Sequence, residues 1–232
     1  MLLALALAVS ACKVDVQVAV DAETNGTGKV EVTVTFDEEA TARTPNLSSM
    51  LRVDDLRATG WTVVGPTRAG ARTVLRAGKG FRTPAEAGKV LDEVSGPDGP
   101  LSGFTLKRER KALWWAWTFE GDLDLRGGIE RFGDPELRAQ LDGSSFGMEA
   151  TRVQEAFGLQ VALRLPGRVE AEAAERVDGR VAWKGSFGDR STLRASSRDW
   201  DVSRIAAGVA ALAVIGFVVL WFRLRRTRRA SG

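Results

Sequence analysis

An α+β fold, with two or three helices on one face of antiparallel sheets made from successive hairpins, is predicted by three features of this 232-residue chain. Short runs of alternating apolar residues come in pairs joined by turn residues, the pattern of β-hairpins. Helical patterns interrupt those pairs, and helices inserted between antiparallel strands collect on one side of a sheet. Finally, the uncharged run 205–222, followed by an arginine block, predicts a C-terminal transmembrane helix.

The elements follow in order. Val14, Val16, Val18 and Val20 alternate with polar or small residues, Asn25-Gly26-Thr27-Gly28 turns the chain, and Val30, Val32, Val34 and Phe36 alternate again. Leu47, Met50, Val53 and Leu56 recur at helical spacing within Pro45–Ala58, and Gly60 stops that helix. Trp61–Val64 and Arg72–Arg76 form a second strand pair around Gly65-Pro66. Pro84–Val94 is the clearest helix: Thr83 precedes Pro84 as a cap, Glu86 completes a capping box, and Ala87, Val90, Leu91 and Val94 make one apolar stripe before Gly96.

A hairpin then runs from Leu101 through a charged tip at 107–111 into Leu113–Phe119. In extended conformation Leu113, Trp115, Trp117 and Phe119 share a face and Trp114 points the other way. Asp134-Pro135-Glu136 opens a short helix to Leu141, and Leu159–Leu165 alternates as a strand before Pro166-Gly167. Strands at Arg168–Val177, Val181–Phe187 and Thr192–Ser197 close the domain, with Asp178-Gly179 as a tight turn.

The two ends predict a membrane address. Cys12, the chain's one cysteine, directly follows the apolar run 1–11 ending Leu7-Ala8-Val9-Ser10-Ala11, which resembles a bacterial lipobox. That resemblance implies cleavage before Cys12 and a diacylglyceryl group on its sulfur. At about 1.5 Å per residue the run 205–222 reaches roughly 27 Å, enough for a hydrocarbon core. Trp221 suits the interface, and Arg223, Arg225, Arg226, Arg228 and Arg229 favour the cytoplasmic side. The expected organisation is a signal peptide at 1–11, an extracytoplasmic domain at 12–200, a single membrane pass at 205–222 and a cytoplasmic tail at 223–232.

Composition narrows the functions. Of 33 basic residues five lie in the tail, leaving 28 against 30 acidic ones, so the rest of the chain lacks the basic surplus of a nucleic-acid binder. Histidine is absent, which excludes Ser-His-Asp and Cys-His catalysis and imidazole metal sites. With a single cysteine no internal disulfide can form, and stability must come from an ordinary core. Carboxylates are plentiful but carry no motif, so neither enzymatic activity nor a cofactor is expected.

Two groups remain as candidate ligand-binding residues. The aromatic face of Trp115, Trp117 and Phe119 either lines a cavity for acyl chains or simply fills the core. Lys107, Arg108, Arg110 and Lys111 either meet lipid phosphates, at about 1 kcal/mol per charge near an anionic surface, or form a solvated tip that discourages edge pairing.

The lipobox at Cys12, the strand ending in Pro166-Gly167, the Val181-Ala182-Trp183 and Leu193-Arg194-Ala195-Ser196 strands and the terminal helix together resemble the LppM family of actinobacterial lipoproteins. The resemblance covers essentially the whole chain. It implies an extracytoplasmic α/β domain with an apolar cavity, associated in mycobacterial relatives with binding phosphatidylinositol mannosides. The expected function is therefore a membrane-anchored envelope lipoprotein that binds or handles lipids or lipoglycans. The competing expectation is a non-catalytic adaptor that contacts other envelope proteins through an exposed sheet face or helix.

Overall fold

The computed structural model describes residues 13–43, 53–96, 99–127 and 157–229. Eleven strands and four helices form among them: β1 (Val14–Ala22), β2 (Gly28–Phe36), α1 (Glu38–Arg43), α2 (Val53–Ala58), β3 (Thr62–Ala69), β4 (Arg72–Phe81), α3 (Pro84–Ser95), β5 (Leu101–Arg110), β6 (Trp114–Asp124), β7 (Phe157–Arg164), β8 (Arg168–Ala171), β9 (Glu175–Val177), β10 (Arg180–Gly185), β11 (Arg190–Trp200) and α4 (Val202–Arg229). The strands divide into a seven-stranded sheet, ordered β3-β4-β2-β1-β7-β10-β9, and a four-stranded sheet, ordered β5-β6-β11-β8.

Local chemistry explains the hairpins. β1 and β2 pair from Val14 opposite Phe36 to Ala22 opposite Gly28. Asn25 Oδ1 accepts from the Thr27 backbone N–H at 2.9 Å, closing the turn as an Asx motif, while Gly26 takes the left-handed conformation the turn needs (φ 98°). At the β9–β10 turn, Asp178 and Gly179 both have positive φ, at 48° and 75°, the backbone of a two-residue hairpin turn.

Both sheets turn an apolar face inward, and one cluster joins them. Val18, Val20, Val161 and Leu163 come from the large sheet, and Trp117, Phe119, Leu123 and Leu193 from the small one; all are at most 1% exposed. Phe119 and Trp183 stack across the interface with centroids 6.1 Å apart. The stripe of α3 adds Ala87, Val90 and Leu91 to the same core, and burying Val90 and Leu91 contributes about 2 kcal/mol each. Around Thr83 the polar arrangement departs from the capping box. The Thr83 side chain makes no cap bond, and Glu86 accepts from the Arg82 N–H at 2.8 Å.

Pro166-Gly167 links the sheets at the β7–β8 crossing. Gly167 has φ 79°, and a methyl added there would overlap the Arg198 carbonyl oxygen. Gly167→Ala is therefore expected to lower unfolding free energy by about 2 kcal/mol, read as a lower urea midpoint at unchanged slope. An unchanged midpoint would show that β8 shifts freely against β11.

These observations correct the predicted fold class. The described chain is mostly β, and each sheet is covered chiefly by the other rather than by a layer of helices, because the alternating strands bury their apolar faces against one another. Of the two or three helices expected on one face, α3 is the one that contributes its stripe to the core; within Pro45–Ala58 the described helix is Val53–Ala58. Leu141 and its proposed helix, the leader and Cys12 lie outside the described residues.

The transmembrane prediction at 205–222 is corrected too, and with it the single-pass localisation with a cytoplasmic C-terminus. α4 forms across that run, yet among the described residues no helix is long and apolar enough to cross a membrane. Six arginines lie within Val202–Arg229, five of them in its last seven residues, so the helix as a whole is not uniformly apolar.

Candidate functional site

The predicted charged tip is instead part of a strand. β5 continues to Arg110, with Lys107 opposite Thr118, Arg108 opposite Trp117 and Arg110 opposite Trp115, and the chain turns at 111–113. The alternation of strand side chains then sorts the basic run. Arg108 and Arg110 fall on the face of Leu106, Trp115 and Trp117, whereas Lys107 and Glu109 point the other way.

Arg108 holds two ends of the fold together. Its guanidinium carbon lies 3.6 Å from the Trp115 ring centroid and 5.5 Å from that of Trp117, while that of Arg110 is 5.3 Å from Trp115. These are cation–π distances, and they are what lets two arginines sit on a core-facing strand surface. Nη2 donates to the Thr24 carbonyl at 2.6 Å and Nη1 to the Asn25 carbonyl at 3.2 Å, tying β5 to the β1–β2 turn. Two N–H donors in this cluster, Arg108 Nε and Trp117 Nε1, are buried without a partner. Each such group costs about 1–3 kcal/mol. Burial pushes the Arg108 pKa down, the Asp199 carboxylate opposes that, and the like charge of Arg110 adds to it. Asp199 stands opposite Trp115 in register.

The predicted aromatic face divides. Trp117 and Phe119 are each 1% exposed; Phe119 lies against Phe104, centroids 5.5 Å apart, as well as Trp183. Trp115 is half-buried beneath Arg108. The structure therefore brings Trp115 together with Arg108 and Arg110, leaves Lys107 on the outer face, and places Lys111 in the turn, where its Nζ lies 2.8 Å from Glu109.

The outer face at this end carries a second aromatic pair. Trp114 and Trp200 face each other in the β6–β11 ladder, rings 5.2 Å apart, with Trp200 52% exposed. Arg198 is exposed on the same face of β11, next to this pair. Alternation in the sequence sets Trp114 apart from its neighbours, but Trp200 lies beyond the predicted strand Thr192–Ser197 and only its aromatic character marks it.

Elsewhere on that face lies an open groove of about 400 Å³, lined by Thr118, Glu120, Glu170, Glu172, Arg194 and Ser196 among others. Arg194 bridges Glu120 at 3.1 Å. Its polar rim suits water or hydroxyl groups better than acyl chains. Among the described residues no group of three His, Cys, Asp or Glu side chains is placed to hold a metal ion.

One ion network belongs to the frame. Asp21 in β1 is 2% exposed and accepts from Arg180 Nε and Nη2, both at 2.8 Å, with Arg164 at 3.3 Å. Burial pushes its carboxyl up, but the Arg180 hydrogen bonds and the charges of Arg180, Arg164 and Lys29 outweigh that and hold it below the usual carboxylate range.

No family model matches the chain. No curated protein matches it in sequence either. Among solved structures, it bears a distant likeness in fold to the folded domain of LppM from Mycobacterium tuberculosis, determined by NMR. That domain is 14% identical, the match covers 82% of this chain and 92% of that one, and the TM-score is 0.46.

Proposed function

We propose that the protein is a non-catalytic envelope lipoprotein, acylated at Cys12, whose domain binds lipids or lipoglycans at the aromatic and basic end of its small sheet. The observation that carries this reading is the Trp114–Trp200 pair, half-exposed beside Arg198 and Lys111. Indole rings prefer the boundary between apolar and aqueous phases because one edge is polar and the body is not. Cations placed around them add attraction to anionic head groups. The contact is thus with the amphiphile's interface. Trp117 and Phe119 do not line it, since they are consumed by the core.

The test is co-sedimentation of the full-length protein with vesicles of phosphatidylcholine, with and without phosphatidylglycerol. The double variant Trp114→Ala/Trp200→Ala is expected to bind vesicles at least about tenfold more weakly, since each ring withdrawn from an interface forfeits of the order of 1 kcal/mol. Binding that survives the double substitution would sink the reading. Failure of the wild type to bind any vesicle, together with capture of an envelope protein that the same double variant loses, would support the adaptor instead.

A further inference from the structure

We infer that Arg108, Trp115 and Arg110, with the indole N–H of Trp117 beneath them, form a binding site for a phosphate group. The guanidinium of Arg108 is used on one edge only. Its terminal nitrogens each give a hydrogen to a carbonyl of the β1–β2 turn, Thr24 and Asn25, while Nε–H has no acceptor. Nε–H belongs to the side edge of the guanidinium, the edge that meets oxyanions as a parallel pair of donors. Trp117 Nε1–H, on a residue 1% exposed whose ring centroid is 5.5 Å from the guanidinium carbon, also has no acceptor.

Both orphan groups are donors, so what completes them is an acceptor. The local charge balance asks for the same thing. Two guanidinium groups lie within 5.3 Å of one indole ring, and Asp199, opposite it in register, is the carboxylate that acts on Arg108. Arg108 is held with its charge less favoured than in water, through burial first and Arg110 further, so a second anion relieves it. Phosphate fits because it keeps its charge throughout the physiological range and offers several oxygens to donors arriving from different directions. The exposed Arg110 gives the side of approach, and an oxygen on the Nε edge meets the second hydrogen of Nη2 while the bonds to Thr24 and Asn25 stay in place.

The phosphate belongs either to a lipid head group or to a free phosphate compound, and the experiment separates the two. Full-length protein is titrated with inorganic phosphate by calorimetry, and the Trp117 indole N–H resonance is followed in the same titration. Saturable binding with a moving Trp117 signal is expected. Arg108→Lys, which keeps the charge and removes the fork, is expected to weaken binding about tenfold, and Trp117→Phe about threefold. Absence of phosphate binding, a Trp117 resonance that does not move, or unchanged affinity in both variants would each overturn the proposal.

Vesicles of phosphatidylglycerol in phosphatidylcholine supply the lipid arm. Phosphate binding without vesicle binding keeps this site and removes the lipid function proposed above. Vesicle binding that ignores Arg108→Lys and Trp117→Phe but is lost in Trp114→Ala/Trp200→Ala does the reverse.

Discussion

Replacing Asp21 by asparagine is expected to lower the unfolding free energy by about 3 kcal/mol at neutral pH, seen as a fall in urea midpoint. Its carboxylate is buried against the Arg180 fork, and asparagine keeps the shape while removing the charge that compensates two arginines. The pH dependence has a definite sign. Because the folded-state pKa is lowered from its ordinary 3.8, the stabilisation is fully present above that value and is lost as pH falls through the folded one. Wild type should therefore lose stability on acidification below about pH 4 more steeply than Asp21→Asn. An asparagine variant as stable as wild type would mean that the pair only repays its own desolvation. The double variant Asp21→Leu/Arg180→Met tests that alternative directly, since an apolar replacement regains what a broken pair loses.

Phe119→Ala is expected to cost about 4 kcal/mol, the range found when a large aromatic side chain is deleted from a closed core. Phe119 stands where the sheets meet, with Phe104 on its own sheet and Trp183 on the other, so its removal opens a space that neither ring can fill without backbone movement. The measurement is denaturant unfolding with near-ultraviolet circular dichroism. The experiment also decides between the two roles the sequence left open for this ring. A cavity wall would tolerate alanine with a loss of about 1 kcal/mol or less while ligand binding changed. A core residue loses stability first, and lipid affinity only as far as the fold is weakened.

The hairpins were legible because alternation is local: a valine every second residue with a turn between runs fixes both the strands and their pairing, as in β1 and β2. The α3 helix was legible for the same reason. Its cap, stripe and terminal glycine lie within fourteen consecutive residues. Pairing between distant segments was not. β1 pairs in parallel with β7, so that Val14 meets Phe157, and nothing in either run names the other. The stretch Arg168–Val177 reads as one strand yet serves both sheets, β8 in the small and β9 in the large, because Ala173 turns the chain with φ 51°. The charged segment 107–111 looked like a solvated tip, since alternating basic residues resemble a polar run whichever way they point. Only the ring of Trp115, stacked on Arg108, makes the inward direction tolerable.

The candidate site divides along the same line. The residue types were visible in the sequence: tryptophans on one strand, basic residues just before it, no histidine, one cysteine. By itself the sequence determined that the chain is rich in hairpins, that catalysis through imidazole is impossible, and that its aromatic and basic residues are neighbours along β5 and β6. Tertiary structure alone decided which of them do what. Trp117 and Phe119 went to the core, Trp115 and Arg108 to its half-buried edge, and Trp114 and Trp200 to the surface. The physical reason is that alternation assigns a side chain to one of two faces, whereas burial depends on what the opposite sheet places against that face, and that partner comes from elsewhere in the chain.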